Sequence, residues 1–205
     1  PFTLYAYAVE GSHAGALLSS KTGLYDGRYE KFCEVLLPNV LNEMKIQARG
    51  GADAVCIFDT VVGELTIKDF KNYALPKLKF LTKEFKKEYP DTKVIYYSRN
   101  THKDHLRLIE DDNIDVLGVD WRHNLGNVLN EFSKDYYIQG NFDPCWLHLP
   151  WEQCEANLAE FHKNLVDANV DFSKWICGLG HGVLQHTPEE NVLKSVKYIH
   201  ENFIY

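Results

Sequence analysis

Gly50-Gly51-Ala52-Asp53-Ala54-Val55-Cys56-Ile57-Phe58-Asp59-Thr60 holds the pattern that decides the fold. A glycine pair closes one element, five nearly continuous apolar residues form the next, and an acid and a hydroxyl end it. An unbroken apolar run of that length predicts a strand covered on both faces. Upstream, Leu36, Val40, Leu41, Met44 and Ala48 share one helical face, and Gly50-Gly51 stops that helix. Similar apolar runs recur at Val94-Ile95-Tyr96-Tyr97, Val116-Leu117-Gly118-Val119, Tyr136-Tyr137-Ile138 and Trp175-Ile176-Cys177. Helical stretches fill the gaps. Thr66 and Asp69 form a capping-box start. Thr187-Pro188-Glu189-Glu190 offers a cap hydroxyl, Pro at the first helical position and Glu behind it, opening a helix whose buried stripe is Val192, Val196, Ile199 and Phe203.

Alternating strands and helices imply parallel strands joined by right-handed crossovers. Five units in 205 residues is about 41 residues per unit, so eight would need about 330, somewhat above the usual size of a (β/α)₈ barrel. Two architectures fit this count, an open doubly wound sheet and a barrel without its first three units. No Pro-rich, Ser-rich or low-complexity linker divides the chain, and residues 1–205 are taken as one domain. The opening, Pro1-Phe2-Thr3-Leu4-Tyr5, has no basic region or cleavage site and is not a signal peptide. It is apolar and β-prone, as expected of a chain that begins inside a longer one.

Composition narrows the function. Apolar residues at 45% and charged residues at 25% are those of an ordinary globular domain. No apolar run approaches the ~20 residues that cross a bilayer. The net charge of −7 argues against nonspecific nucleic-acid binding, so an acidic ligand would need local cations. The five cysteines, Cys33, Cys56, Cys145, Cys154 and Cys177, are odd in number and scattered, which fits a reducing cytosol better than a disulfide framework.

Polar and glycine-rich residues cluster just after each strand: Phe58-Asp59-Thr60, Ser98-Arg99-Asn100, Asp120-Trp121-Arg122-His123, Gly140-Asn141-Phe142-Asp143-Pro144, and Gly178-Leu179-Gly180-His181-Gly182. In either architecture ligands bind at the C-terminal ends of the strands. The bland alternative is that such loops are polar because they are solvated. His181, between two glycines, is an unshielded imidazole able to donate to a carboxylate or move a proton. The glycine spacing around it is not a dinucleotide fingerprint, because the third glycine comes one residue early and no helix follows directly. Thr60 is a candidate hydrogen-bonding group. Arg99, Arg122 and His123 are local cations that more often serve as surface pairs.

These blocks, in this order, resemble the uroporphyrinogen decarboxylase family. Pro1-Phe2-Thr3-Leu4, Tyr7 and Val9-Glu10-Gly11 are similar to one family segment, and Gly51 to Ala54 with Ile57 to Thr60 and Gly63-Glu64-Leu65 to the next. Gly118-Val119-Asp120-Trp121, Gly140-Asn141-Phe142-Asp143-Pro144 and Leu179-Gly180-His181-Gly182-Val183-Leu184 with Thr187 to Val192 complete the set. The resemblance implies an incomplete (β/α)₈ TIM barrel, about its last five β/α units. It also implies a cytoplasmic carboxy-lyase that converts the four acetates of uroporphyrinogen III to methyl groups, giving coproporphyrinogen III without metal or organic cofactor. It places substrate contacts on Tyr7, Thr60 and His181, and implies a homodimer or self-association through an exposed barrel edge. Cys177-Gly178 replaces the family's aromatic-Asn pair, and Phe142 its Leu. The family's arginine-rich loop and the aspartate facing the pyrrole NH groups lie before the first matching block, so residues 1–205 alone are expected to be inactive. Two other readings stay open. A zinc- or corrinoid-linked methyltransferase of the same superfamily would need His and Cys ligands, and His102 and His105 lack the accompanying Cys. A non-catalytic tetrapyrrole-binding module would look the same at Tyr7 and His181.

Overall fold

A computed structural model describes residues 1–11 and 15–203. They group into two compact units, Pro1–Leu117 and Gly118–Tyr205, each built of strands alternating with helices. The strand order is β1-β2-β3-β4-β5, where β1 is Ala54–Asp59, β2 Lys93–Ser98, β3 Val116–Gly118, β4 Tyr137–Phe142 and β5 Trp175–Leu179. Chain order equals spatial order, as successive βαβ crossovers produce.

The first unit opens with α1 (Phe2–Glu10), α2 (Leu18–Tyr25) and α3 (Arg28–Arg49). The opening stretch expected to be β-prone is therefore helical. Phe2 and Tyr5 bury against Tyr29 of α3, with ring centroids 6.0 and 5.1 Å from it, and this packing overrides local propensity. Gly11 ends α1 in the left-handed conformation at φ 69°, its N–H on Tyr7 O. Glu10 then accepts from the N–H and hydroxyl of Ser20 at 2.8 and 3.0 Å, anchoring the first turn of α2. The buried face of α3 is Tyr29, Cys33, Leu37 and Met44, with Leu36, Val40, Leu41 and Ala48 on its flanks. Gly50 and Gly51 end the helix as expected.

Strand β1 pairs with β2 in parallel, Phe58 opposite Tyr97. It is not covered on both faces. Val55, Ile57 and Asp59 are buried, whereas Ala54, Cys56 and Phe58 are exposed, Phe58 by 66%. Helices of this unit lie on one face of β1, so burial alternates with the pleat. Thr66 caps α4 (Ile67–Asp69) by accepting from Asp69 N at 3.1 Å, and a π-helical turn, Phe70–Ala74, leads into α5 (Leu75–Glu88). After β2 comes α6 (Lys103–Leu108). The N–H of Asp115 donates to Val94 O at 2.9 Å, setting the entry to β3 beside β2.

The second unit contains α7 (Leu125–Phe132), β4, α8 (Trp151–Asp167), β5 and α9 (Glu189–Asn202). Val119 N donates to Gln139 O at 2.9 Å, so the exit from β3 runs beside β4. Strands β4 and β5 pair in parallel with Ile138 opposite Trp175. Both run further than the apolar pattern marks, taking in Gly140-Asn141-Phe142 and Gly178-Leu179, because Phe142 and Trp175 join an aromatic core with Phe161 and Phe203. The start of α9 differs from expectation. Pro188 is its cap residue, and the Thr187 hydroxyl donates instead to Leu184 O at 2.6 Å. Of its expected stripe Phe203 is buried, Val192 and Ile199 are half-buried and Val196 is exposed. That face borders a cavity of about 600 Å³ lined in part by Trp146, Cys177, Val196 and Phe203.

Candidate functional site

At four of the strand exits one polar residue is buried while other polar residues of the same cluster are half-buried or exposed. Asp59, Ser98, Asp120 and Asn141 are each no more than 2% exposed, which argues against the reading of plain solvated loops. Buried polar groups must be hydrogen-bonded, and these bonds set the local geometry.

In the first unit Asp59 ends β1 with its carboxylate inside. Its Oδ1 accepts from Thr3 N at 3.0 Å and from the Thr3 hydroxyl at 2.7 Å. The same hydroxyl accepts from Val61 N at 3.0 Å. The two residues flanking Thr60 are thereby tied to the first turn of α1. Tyr7 follows Thr3 by one helical turn and so lies on the same side of α1, 42% exposed. Thr60, half-buried, sits in the turn between these anchors. This unit therefore brings the Tyr7 helix and Thr60 to one end of β1. Tyr96 on β2 is fully buried, and burial together with the Asp59 charge holds its hydroxyl well above the usual tyrosine range.

Gly63 lies in the same region. A side chain there would meet Arg99 O at 2.3 Å and Asn100 O at 2.5 Å, so only glycine lets the segments after β1 and β2 touch. His102 and His105 serve structure. His105 Nδ1 accepts from His102 N at 3.1 Å, the His102 ring accepts from His105 N, and His105 Nε2 faces Leu65 O at 3.2 Å. They form a capping box for α6 and leave no imidazole lone pair of His105 for a metal. Among the described residues no three His, Cys, Asp or Glu side chains converge as metal ligands.

In the second unit His181 follows β5 and is half-buried. Its Nδ1 lies 3.2 Å from Gly182 O, and its ring stands edge-on to Trp121 at 6.4 Å and 81°. Gly180 brings this about, although not by admitting a ligand: a Cβ there would sit 2.6 Å from Trp121 N. The close approach is of one strand exit to another. Asp120 accepts from Arg122 N and Arg122 Nη1, both at 2.9 Å, while Asn141 Nδ2 donates to Asp120 O at 2.8 Å and His123 O at 2.9 Å. Sequence reasoning ranked neither the Asp59–Thr3 link nor the Trp121–Arg122–His181 grouping. The available signal was the acid at the end of β1 and just after β3, Asp59 and Asp120. Cys177, on β5, has its thiol pushed up to about 12 by burial, which disfavours the thiolate.

Known proteins locate these features. The sequence profile of the uroporphyrinogen decarboxylase (URO-D) family matches residues 1–202. The uroporphyrinogen decarboxylase of Thermosynechococcus vestitus is 33% identical over 194 residues, covering 94% of this chain and 55% of that protein. The Geobacter sulfurreducens enzyme is 31% identical over 202 residues, covering 98% and 57%. The chain thus spans a little over half the length of the curated relatives it matches. Among solved structures, a methyltransferase from Methanosarcina mazei superposes with TM-score 0.68 at 16% identity, covering 83% of this chain and 48% of that one, a likeness of fold. Strand-end motifs in family order, on a parallel α/β scaffold, agree with a profile match that runs almost from end to end, and the chain belongs to the uroporphyrinogen decarboxylase family.

Proposed function

We propose that residues 1–205 supply the last five β/α units of a (β/α)₈ barrel, as one C-terminal part of a cytosolic enzyme that decarboxylates the four acetates of uroporphyrinogen III to give coproporphyrinogen III. The observation that carries this reading is the family match over residues 1–202. The positions of Thr60 and His181 after β1 and β5, and of Tyr7 on the helix tied to the end of β1, support it.

Loss of CO₂ from a pyrrole acetate leaves an electron pair on the methylene carbon. Protonation of the pyrrole ring provides the sink for that pair, so the substrate itself does what a cofactor does elsewhere. The protein binds the polyanion, stabilises developing positive charge and handles protons. In this assignment the Tyr7 hydroxyl donates beside a reacting acetate, while Thr60 and His181 contact substrate carboxylates. The exposed face of β1, with Phe58 and Cys56, is consistent with a protein that self-associates or carries further β/α units.

The test is anaerobic incubation with uroporphyrinogen III and chromatography of the products. The chain alone is expected to give none. Co-expressed with the N-terminal portion of the Geobacter sulfurreducens enzyme it should yield coproporphyrinogen III, and His181→Asn or Thr60→Val should lower the yield about tenfold or more. Absence of product from the combined chains, with no binding of uroporphyrin by either, refutes the assignment.

A further inference from the structure

We infer that Arg122 and His181 form a carboxylate subsite on either side of Trp121, with the Arg122 guanidinium as its cationic anchor. The identity of the anion, an arylacetate borne by a tetrapyrrole, rests on the decarboxylase reading above.

Asp120 fixes the arginine. Its carboxylate is fully buried and accepts both the backbone N–H and Nη1 of Arg122. One arm of the guanidinium is therefore held, while its Cζ lies over the Trp121 ring at 4.5 Å from the centroid. The Arg122 side chain remains 45% exposed, so the rest of its donor fork faces solvent. Guanidinium stacked on an indole and ordered from behind by an acid has lost its rotamer freedom before a ligand arrives. A second donor is aimed at the same indole. His181 meets Trp121 edge-on at 6.4 Å, and with Nδ1 directed at Gly182 O its Nε2 is the nitrogen left for a ligand.

The arrangement is held by backbone. Gly180 N donates to Phe142 O at 2.7 Å, and the Gly180 Cα stands where any side chain would strike the main chain of Asp120 and Trp121. The cation and the imidazole therefore have a fixed separation across one aromatic surface. The fork suits the carboxylate of an arylacetate. A purely structural arginine would neutralise Asp120 and nothing more.

The two roles separate by experiment. ¹⁵N-labelled chain is titrated with sodium phenylacetate and, separately, with neutral phenylacetamide, following the indole N–H of Trp121 (assigned through Trp121→Phe) and the imidazole of His181. Phenylacetate should shift both, phenylacetamide neither, and Arg122→Gln should weaken phenylacetate by about 10- to 50-fold. Arg122→Lys keeps the charge beside Asp120 but not the planar fork. It should keep the wild-type urea midpoint and still bind several-fold more weakly. Equal binding by wild type and Arg122→Lys, or equal binding of acid and amide, overturns the subsite.

Uroporphyrin I is titrated in parallel, against the chain co-expressed with the N-terminal portion of the Geobacter sulfurreducens enzyme, to separate this inference from the decarboxylase reading. Arg122-dependent phenylacetate binding without uroporphyrin binding keeps the subsite and counts against the decarboxylase. Uroporphyrin binding that is unchanged in Arg122→Gln and Arg122→Lys keeps the decarboxylase and removes the subsite.

Discussion

Replacing Thr3 with valine asks whether a single hydroxyl holds α1 to the end of β1. Valine preserves the shape of threonine and removes two hydrogen bonds, the 2.7 Å bond to Asp59 Oδ1 and the 3.0 Å bond accepted from Val61 N. The first goes to a buried carboxylate and contributes about 2 kcal/mol, and the second loss leaves an N–H without its acceptor at a cost of about 1–2 kcal/mol. The added methyl returns about 0.5–1 kcal/mol of burial. The net cost is roughly 2–3.5 kcal/mol. Serine at this position keeps both bonds and loses one buried methyl, about 1 kcal/mol. Amide hydrogen exchange at Val61 reads the difference where it arises. Its protection should fall about 100-fold in Thr3→Val and far less in Thr3→Ser. If serine costs as much as valine, or Val61 exchanges equally in both, the hydroxyl is not the link and the argument placing Tyr7 beside Thr60 fails with it.

Three further outcomes follow from local geometry. Neutral His105, accepting from His102 N and facing Leu65 O, has its pKa lowered, first by burial. The unfolded chain therefore takes up protons before the folded one as pH falls through about 6.5. The urea midpoint should drop between pH 7.5 and 5.5, with a shallower drop in His105→Gln; identical slopes would contradict this. Cys177, with its thiol raised to about 12, should react with iodoacetamide at pH 8 roughly three orders of magnitude more slowly than in the urea-unfolded chain, as followed by mass spectrometry. Gly180→Ala, whose Cβ meets Trp121 N at 2.6 Å, should destabilise by about 2–3 kcal/mol in urea titration. Gly182→Ala, with nothing within 4 Å, should change stability by less than about 0.5 kcal/mol.

The strands were legible because their apolar runs are short, bounded and rich in β-branched and aromatic residues. All five form where the pattern sets them, within one or two residues at the start. The ends of β4 and β5 were not legible. Gly140, Asn141 and Gly178 carry turn chemistry by residue type, and only the pairing of Asn141 with Gly178 and Phe142 with Leu179 keeps them in the sheet. The opening helix was missed for a related reason. Phe2, Thr3 and Tyr5 favour strands locally, while their burial against Tyr29 and Asp59 is decided by residues 24 or more positions away. Thr187 illustrates a third kind of miss. Its hydroxyl had a nearer acceptor in Leu184 O, so the capping sequence was present and the cap was not.

The candidate site divides along the same line. Thr60 and His181 could be named because they end apolar runs, but what orients them lies in side chains whose type is uninformative. An aspartate after a strand is usually a solvated turn residue. Here Asp59 and Asp120 are buried, so neither carboxylate can meet a ligand directly, and each acts through the neighbour it grips. Asp59 holds Thr3 and with it α1; Asp120 holds Arg122 over Trp121. A buried acid with its partner removed is costly. Thr3→Val, or replacement of Arg122 by an uncharged residue, should therefore lower stability as well as binding, whereas substitutions at Thr60 or His181, which bear no such load, should affect binding alone. That difference separates side chains that also hold a buried acid from those proposed only to meet a ligand.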